Sequence, residues 1–265
     1  MKNFEYHRPA DIKEAVDIVN NSGDGKYLAG GHTMIPVLKQ RMAEHADLVD
    51  ISMISDLQGI EVWENNIQIG AMTRHVEVAE SELVRKSIPA LSVLASGIGD
   101  PHVRNRGTIG GSLANNDPSA DYPAAVLGLG AIIHTDRRQI LGDDFFVDMF
   151  ETALEDGELL TAVEFTVPDR AAYLKFPNPA SRYAITGVFV SLRDGHPRVA
   201  VTGAGPCVFR QHEMEQALLA EFSSSALDNI VVADDDLNQD IHASAEYRAH
   251  LIKVLAKRAV DSLEE

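Results

Sequence analysis

The chain has 265 residues, 45% hydrophobic and 24% charged, which suits one large globular domain or two to three small ones. A formal net charge of -17 argues against nucleic acid and anionic lipid as partners. One cysteine, Cys207, can neither close an internal disulfide nor supply the ligands of an iron–sulfur cluster.

In chain order, Pro9 opens a helical pattern in which Ile12, Ala15, Val16 and Val19 recur at helical spacing, closed by Asn21-Ser22-Gly23. Residues 26–29 read as a short strand running into Gly30-Gly31, residues 33–41 as a helix opening from that turn, and residues 47–51 as a strand. Residues 60–63 and 67–70 alternate around Glu64-Asn65-Asn66 and predict a β-hairpin. Two helices follow, over 73–81 and 87–96. Residues 97–123 are rich in glycine, asparagine and proline, hold few core-forming residues, and read as a long loop, either functional or disordered. The longest apolar run, 124–133, is far short of the ~20 residues of a membrane helix. The N-terminus lacks the apolar core of a signal peptide, so a cytoplasmic setting is expected.

Strands are predicted at 131–134, 159–167 and 173–176, with a break in composition at Pro168-Asp169-Arg170. Beyond it, 184–193, 198–203 and 206–209 read as an antiparallel meander turning at Asp194-Gly195. Helices close the chain over 212–221, 225–233 and 245–263. The expected division is 1–55, 56–168 and 169–265.

Two stretches carry chemistry. In Leu28, Ala29, Gly30, Gly31, His32, Thr33, Met34 and Ile35, a strand enters two glycines and then a helix start. Glycine permits positive φ and close approach of backbone N–H groups to an anion, and a helix start adds partial positive charge, so a phosphate fits there. A plain strand–turn–helix connection accounts for the same residues. The second stretch runs from Arg106 to Asp121, RGTIGGSLANNDPSAD, where glycines again meet short hydroxyl and amide side chains. Asp121 is placed to accept from sugar hydroxyls. Arg104 and Arg106 flank this stretch and either neutralise phosphate or stay solvated. No three-glycine dinucleotide fingerprint, nucleophile elbow or metal-ligand spacing appears.

AGGHTMIP (29–36) and RGTIGGSLANNDPSADYPAA (106–125) resemble the two FAD loops of medium subunits of carbon monoxide dehydrogenase-type molybdenum hydroxylases and of the FAD domain of xanthine dehydrogenase. DDFF at 143–146 and GELLTAVEFTVP at 157–168 are similar to that family as well. The resemblance implies an α+β, PCMH-type FAD-binding fold of two α+β subdomains, followed by a C-terminal antiparallel sheet with helices. It implies FAD bound non-covalently, with residues 28–35 at the pyrophosphate. Thr108, Ile109, Gly110, Gly111 and Ser112 would form a second backbone cradle. Asp121 would be an acidic FAD contact, with Leu160 and Lys175 near the flavin. Ser112 stands where xanthine dehydrogenase has asparagine, which removes one amide contact. The family places the molybdenum cofactor on a large partner subunit and [2Fe–2S] clusters on a small one, in a dimer of heterotrimers. No catalytic residue and no metal ligand is expected in this chain. Two other readings are a self-contained flavin oxidase with FAD linked to His32, and an assembly module without FAD. Gly110→Val is expected to abolish FAD retention by filling phosphate space.

Overall fold

The computed structural model describes residues 1–264. The described residues form three larger sheets and one two-stranded hairpin. The first contains β1 (Glu5–His7), β2 (Gly25–Leu28) and β3 (Asp47–Asp50), all parallel, in the spatial order β1-β3-β2. Parallel neighbours require crossovers, and α1 (Ile12–Asn21) and α2 (Met34–Lys39) supply them. Asp11 starts α1 by accepting the Glu14 N–H at 2.8 Å, and the buried Ala15 and Val19 face the sheet.

The second sheet begins with β4 (Ile60–Trp63) and β5 (Asn66–Gly70). After α3 (His75–Glu80), α4 (Glu82–Ser87), α5 (Pro89–Ser96), α6 (Pro101–Arg104), α7 (Ile109–Asn115) and α8 (Tyr122–Leu129) it resumes with β6 (Ile132–Thr135) and β7 (Gln139–Leu141). A one-turn helix, α9 (Gly142–Phe145), leads to a separate hairpin of β8 (Phe146–Asp148) and β9 (Glu151–Thr152). Then β10 (Leu160–Thr166) enters the middle of the sheet, giving the antiparallel order β4-β5-β10-β6-β7. The third sheet is the meander β11 (Arg170–Pro177), β12 (Ala184–Arg193), β13 (His196–Thr202) and β14 (Phe209–Arg210), backed by α10 (His212–Ala220) and α11 (Ala245–Glu264).

All eight residues of α8 are buried, because the helix lies between β10 of the second sheet and β12–β13 of the third. Strand alternation divides the third sheet between two cores. Phe189 and Ala200 point into the core that contains α8, whereas Val188, Val190, Val199 and Val201 point into the core under α10 and α11. Burying each such Val or Phe contributes about 1.5–3 kcal/mol.

Several expectations change. Residues 97–123 are not a loop: they contain α6, α7 and the start of α8. The two glycines of α7 disguise it, since glycine is a poor helix former. Yet Ile109 and Leu113, four residues apart, are fully buried, as are Tyr122 and its neighbours. Residues 225–233 do not form an α-helix; a 3-10 turn, Ser224–Leu227, is all that forms. The strand expected at 206–209 shrinks to β14, and the helices expected over 73–81 and 87–96 become three. The strands β1, β7, β8 and β9 are two or three residues long, too short to leave an alternation signal.

Candidate cofactor-binding site

A cleft of about 1080 Å³ joins the two glycine turns. Its construction starts from the backbone between β5 and α3. There the His75 N–H donates to Gly107 O at 3.0 Å, Ile109 N–H to Thr73 O at 3.0 Å and Gly110 N–H to Ala71 O at 2.9 Å. These bonds zip the second turn onto the second sheet. Gly110 must be glycine because a Cβ there would lie 2.5 Å from Ala71 Cβ. The first turn packs on the second from the other side: a Cβ on Gly30 would meet Arg106 O at 2.2 Å. Gly31 has φ +77, the left-handed region that favours glycine.

The N–H groups of Ala29, Gly30, Gly31, His32 and Thr33 have no acceptor among the described residues. Five successive donors left unpaired on one cleft wall are costly unless solvent or an anion accepts from them. The second turn differs from the expected backbone cradle. Ile109 and Gly110 donate to the neighbouring segment, Gly111 N–H donates to Thr108 Oγ1 at 3.1 Å, and Ser112 N–H donates to Thr108 O at 3.0 Å. Docking on the second sheet and the Thr108 cap use up these donors, so the second turn offers the Ser112 side chain and a close-packed wall, not a row of free amides. Gly110→Val would therefore act by pushing the turn off Ala71, not by filling phosphate space.

Residues 28–34, Thr108, Gly110, Gly111, Ser112, Asp121 and Leu160 all border this cleft. Ile35, Ile109 and Lys175 do not. Ile35 packs its Cγ1 against Gly31, and Ile109 is in the core. The Lys175 ammonium is held by Gly97 O at 2.9 Å, Arg182 O at 3.0 Å and the Asp121 carboxylate at 2.9 Å. An ammonium has three donors, and all three are used. Lys175 thus fastens three cleft segments together. Asp121 also accepts the Tyr173 hydroxyl at 2.5 Å. Burial pushes the Asp121 carboxyl up, opposed by the Lys175 charge and the Tyr173 hydroxyl.

His32 is exposed at the rim, with Nε2 3.3 Å from His102 O. Arg104 points its Nη1 at Ile98 O (2.9 Å) and Gly99 O (3.1 Å), bracing that turn. Sequence reasoning missed His75, Phe150, Arg182 and Tyr183, which also border the cleft. His75 is 5% exposed, and burial, with His32 and Arg104 nearby, lowers its pKa to about 4; its Nδ1 has no partner among the described residues. A lone histidine at a helix start carries no sequence signal of this. A second hollow of about 600 Å³, bordered by His7, Asp11, Lys13 and Asp47, lies away from both glycine turns. Among the described residues, no cluster of His, Cys, Asp and Glu suits a metal, and no helix is long and apolar enough to cross a membrane.

The turn of unpaired amides, the Cβ-free backbone contacts and the size of the cleft fit a dinucleotide such as FAD. Comparison with known proteins agrees. The family described as "FAD binding domain in molybdopterin dehydrogenase" matches residues 2–168. The chain is 34% identical over 278 residues to the carbon monoxide dehydrogenase medium chain of Hydrogenophaga pseudoflava, covering 98% of this chain and 96% of that one. It is 28% identical over 274 residues to the xanthine dehydrogenase FAD-binding subunit of Escherichia coli O157:H7, covering 96% and 94%. The solved carbon monoxide dehydrogenase from Hydrogenophaga pseudoflava superposes with a TM-score of 0.92 at 33% identity, over 99% of this chain and 98% of that one. The fold is therefore the PCMH-type FAD-binding fold. The chain belongs to the FAD-binding medium subunits of the molybdenum hydroxylase family: it is an oxidoreductase subunit, and FAD is its cofactor.

Proposed function

We propose that this chain holds one FAD non-covalently in the cleft and serves as the electron outlet of a complex whose large subunit carries the molybdenum cofactor and whose small subunit carries [2Fe–2S] clusters. Bound FAD would supply the redox chemistry that links the clusters to an external acceptor. The chain's own work is to bind and orient. The observation that carries this reading is the run of unpaired N–H groups from Ala29 to Thr33, opposite the packed wall of α7. In this reading those amides hold the pyrophosphate, and Ser112 adds a hydroxyl. Asp121, fixed by Lys175 and Tyr173, presents a carboxylate to the ribityl or ribose hydroxyls. Leu160 lies against the cofactor, and Lys175 acts through Asp121 rather than by touching the flavin.

The names of the relatives, medium chains and subunits of dehydrogenases, support the multi-subunit setting. A single cysteine supports placing the clusters elsewhere. A dimer of heterotrimers in the cytoplasm, and division of this chain at 55/56 and 168/169, complete the proposal.

Titrating the purified chain with FAD tests it. The expected result is saturation at one FAD per chain and full release of flavin on denaturation. Flavin that stays with the denatured chain would favour attachment to His32, and failure to take up FAD would favour an assembly module.

A further inference from the structure

The hairpin of β8 and β9 carries a side chain that the flavin site as described leaves unused. Phe150 borders the cleft and is 58% exposed. Its backbone is left-handed, φ +57, a conformation that costs energy for a residue with a Cβ. Asn116 holds it there. The Phe150 N–H donates to Asn116 O at 3.1 Å, and Asn116 Nδ2 donates to Asp148 O and Glu151 O, each at 2.8 Å. Asn116 is 1% exposed, is itself left-handed at φ +41, and caps the C-terminal end of α7. The short helix that presents Ser112 to the cleft at its middle therefore fixes Phe150 through its C-terminal cap.

Among the described residues, six non-glycine residues have positive φ. Arg41, Glu64 and Asp194 lie in exposed turns away from the cleft, whereas Phe150 and Arg182 border it and Asn116 anchors Phe150. Strain of this kind persists only where the surroundings enforce it, and it concentrates at ligand sites. An aromatic ring that stands bare beside a nucleotide cleft on a firmly held backbone is matched by the π-face of a heteroaromatic ring.

We propose that Phe150 packs its ring on a heteroaromatic ring of the bound dinucleotide, closing the cleft from the β8–β9 side. The proposal rests on the flavin reading above. FAD carries two such rings; ADP carries only adenine and FMN only isoalloxazine, so the two fragments tell which ring is covered.

The test is a titration of the purified parent chain, Phe150→Ala and Phe150→Tyr with FAD, ADP and FMN. Phe150→Ala is expected to bind FAD roughly 5- to 150-fold more weakly, the range for loss of one base–aromatic stack. The same loss should appear with one of the two fragments, and Phe150→Tyr should restore parent affinity. Because the side chain is largely exposed, the thermal midpoint without ligand should not move, which separates lost stacking from lost folding. Phe150→Ala binding all three ligands as the parent does would overturn the proposal and leave the flavin reading intact. So would a loss that Phe150→Tyr fails to restore. A parent chain that takes up no FAD would overturn the flavin reading, and this proposal with it.

Discussion

Single residues set the chemistry of this cleft through what they lack or cannot do. Gly30 and Gly110 have no Cβ to hold apart backbones that must touch. Gly30→Ala is predicted to lower stability by about 1–3 kcal/mol, the usual cost of overpacking, and to weaken FAD binding because Arg106 is displaced. A thermal melt and a flavin titration on the same variant check both effects. His75 makes a different prediction. Its pKa of about 4 lies below the ordinary 6.5 because the buried ring loses hydration when charged. Between those values the unfolded chain binds a proton that the folded chain refuses, so acidification from pH 6.5 towards 4 removes stability. Imidazole nitrogen shifts should show His75 neutral at pH 5.5; a titration midpoint near 6.5 would contradict its burial. Little of this was legible beforehand. The glycine pairs announced a turn, but only the fold reveals that Gly110 answers to Ala71 and that the first amides of α7 are taken by Thr73, Ala71 and the Thr108 cap.

At the scale of elements, the cleft is walled by segments that salt links and helix packing hold in place. Glu158 is an example: Arg138 Nε and Nη2 reach it at 3.0 and 2.9 Å, Thr135 Oγ1 at 2.8 Å and the Glu155 N–H at 2.8 Å. These partners, Arg138 first, lower its pKa from 4.5 to about 2. The stabilisation is fully present above pH 4.5 and disappears as the pH falls to about 2, an amount on the order of 3 kcal/mol. Glu158→Gln should flatten the acid limb of a plot of melting temperature against pH; an unchanged limb would show that the clamp contributes nothing. Packing of α8 gives a second expectation. A Cβ on Gly128 would lie 2.6 Å from Phe189 Cδ1, so Gly128→Val should force α8 off the third sheet and lower the unfolding free energy by about 1–3 kcal/mol in urea titration. The sequence disclosed the long strands and the terminal helix, whose periodic apolar faces are the strongest signals. It concealed α7, where glycine masks the helix, and β8–β9, where pairs of residues carry no period.

For the whole molecule, the order of parts was readable because short sequence blocks keep their order and spacing along the chain. How those parts meet was not readable, since the second and third sheets, from different stretches, share one core, with α8 packed between them. The cleft is a product of that assembly, bringing residues 29–33, 107–108, 110–112, 121, 150 and 182–183 to one place. The central claim is that the first turn's unpaired amides receive the cofactor's diphosphate against the wall of α7. A crystal structure of the chain with FAD tests it most directly. Diphosphate oxygens within about 2.7–3.2 Å of N–H groups between Ala29 and Thr33 are predicted. FAD bound elsewhere, or with those amides still lacking a phosphate acceptor, would contradict the account.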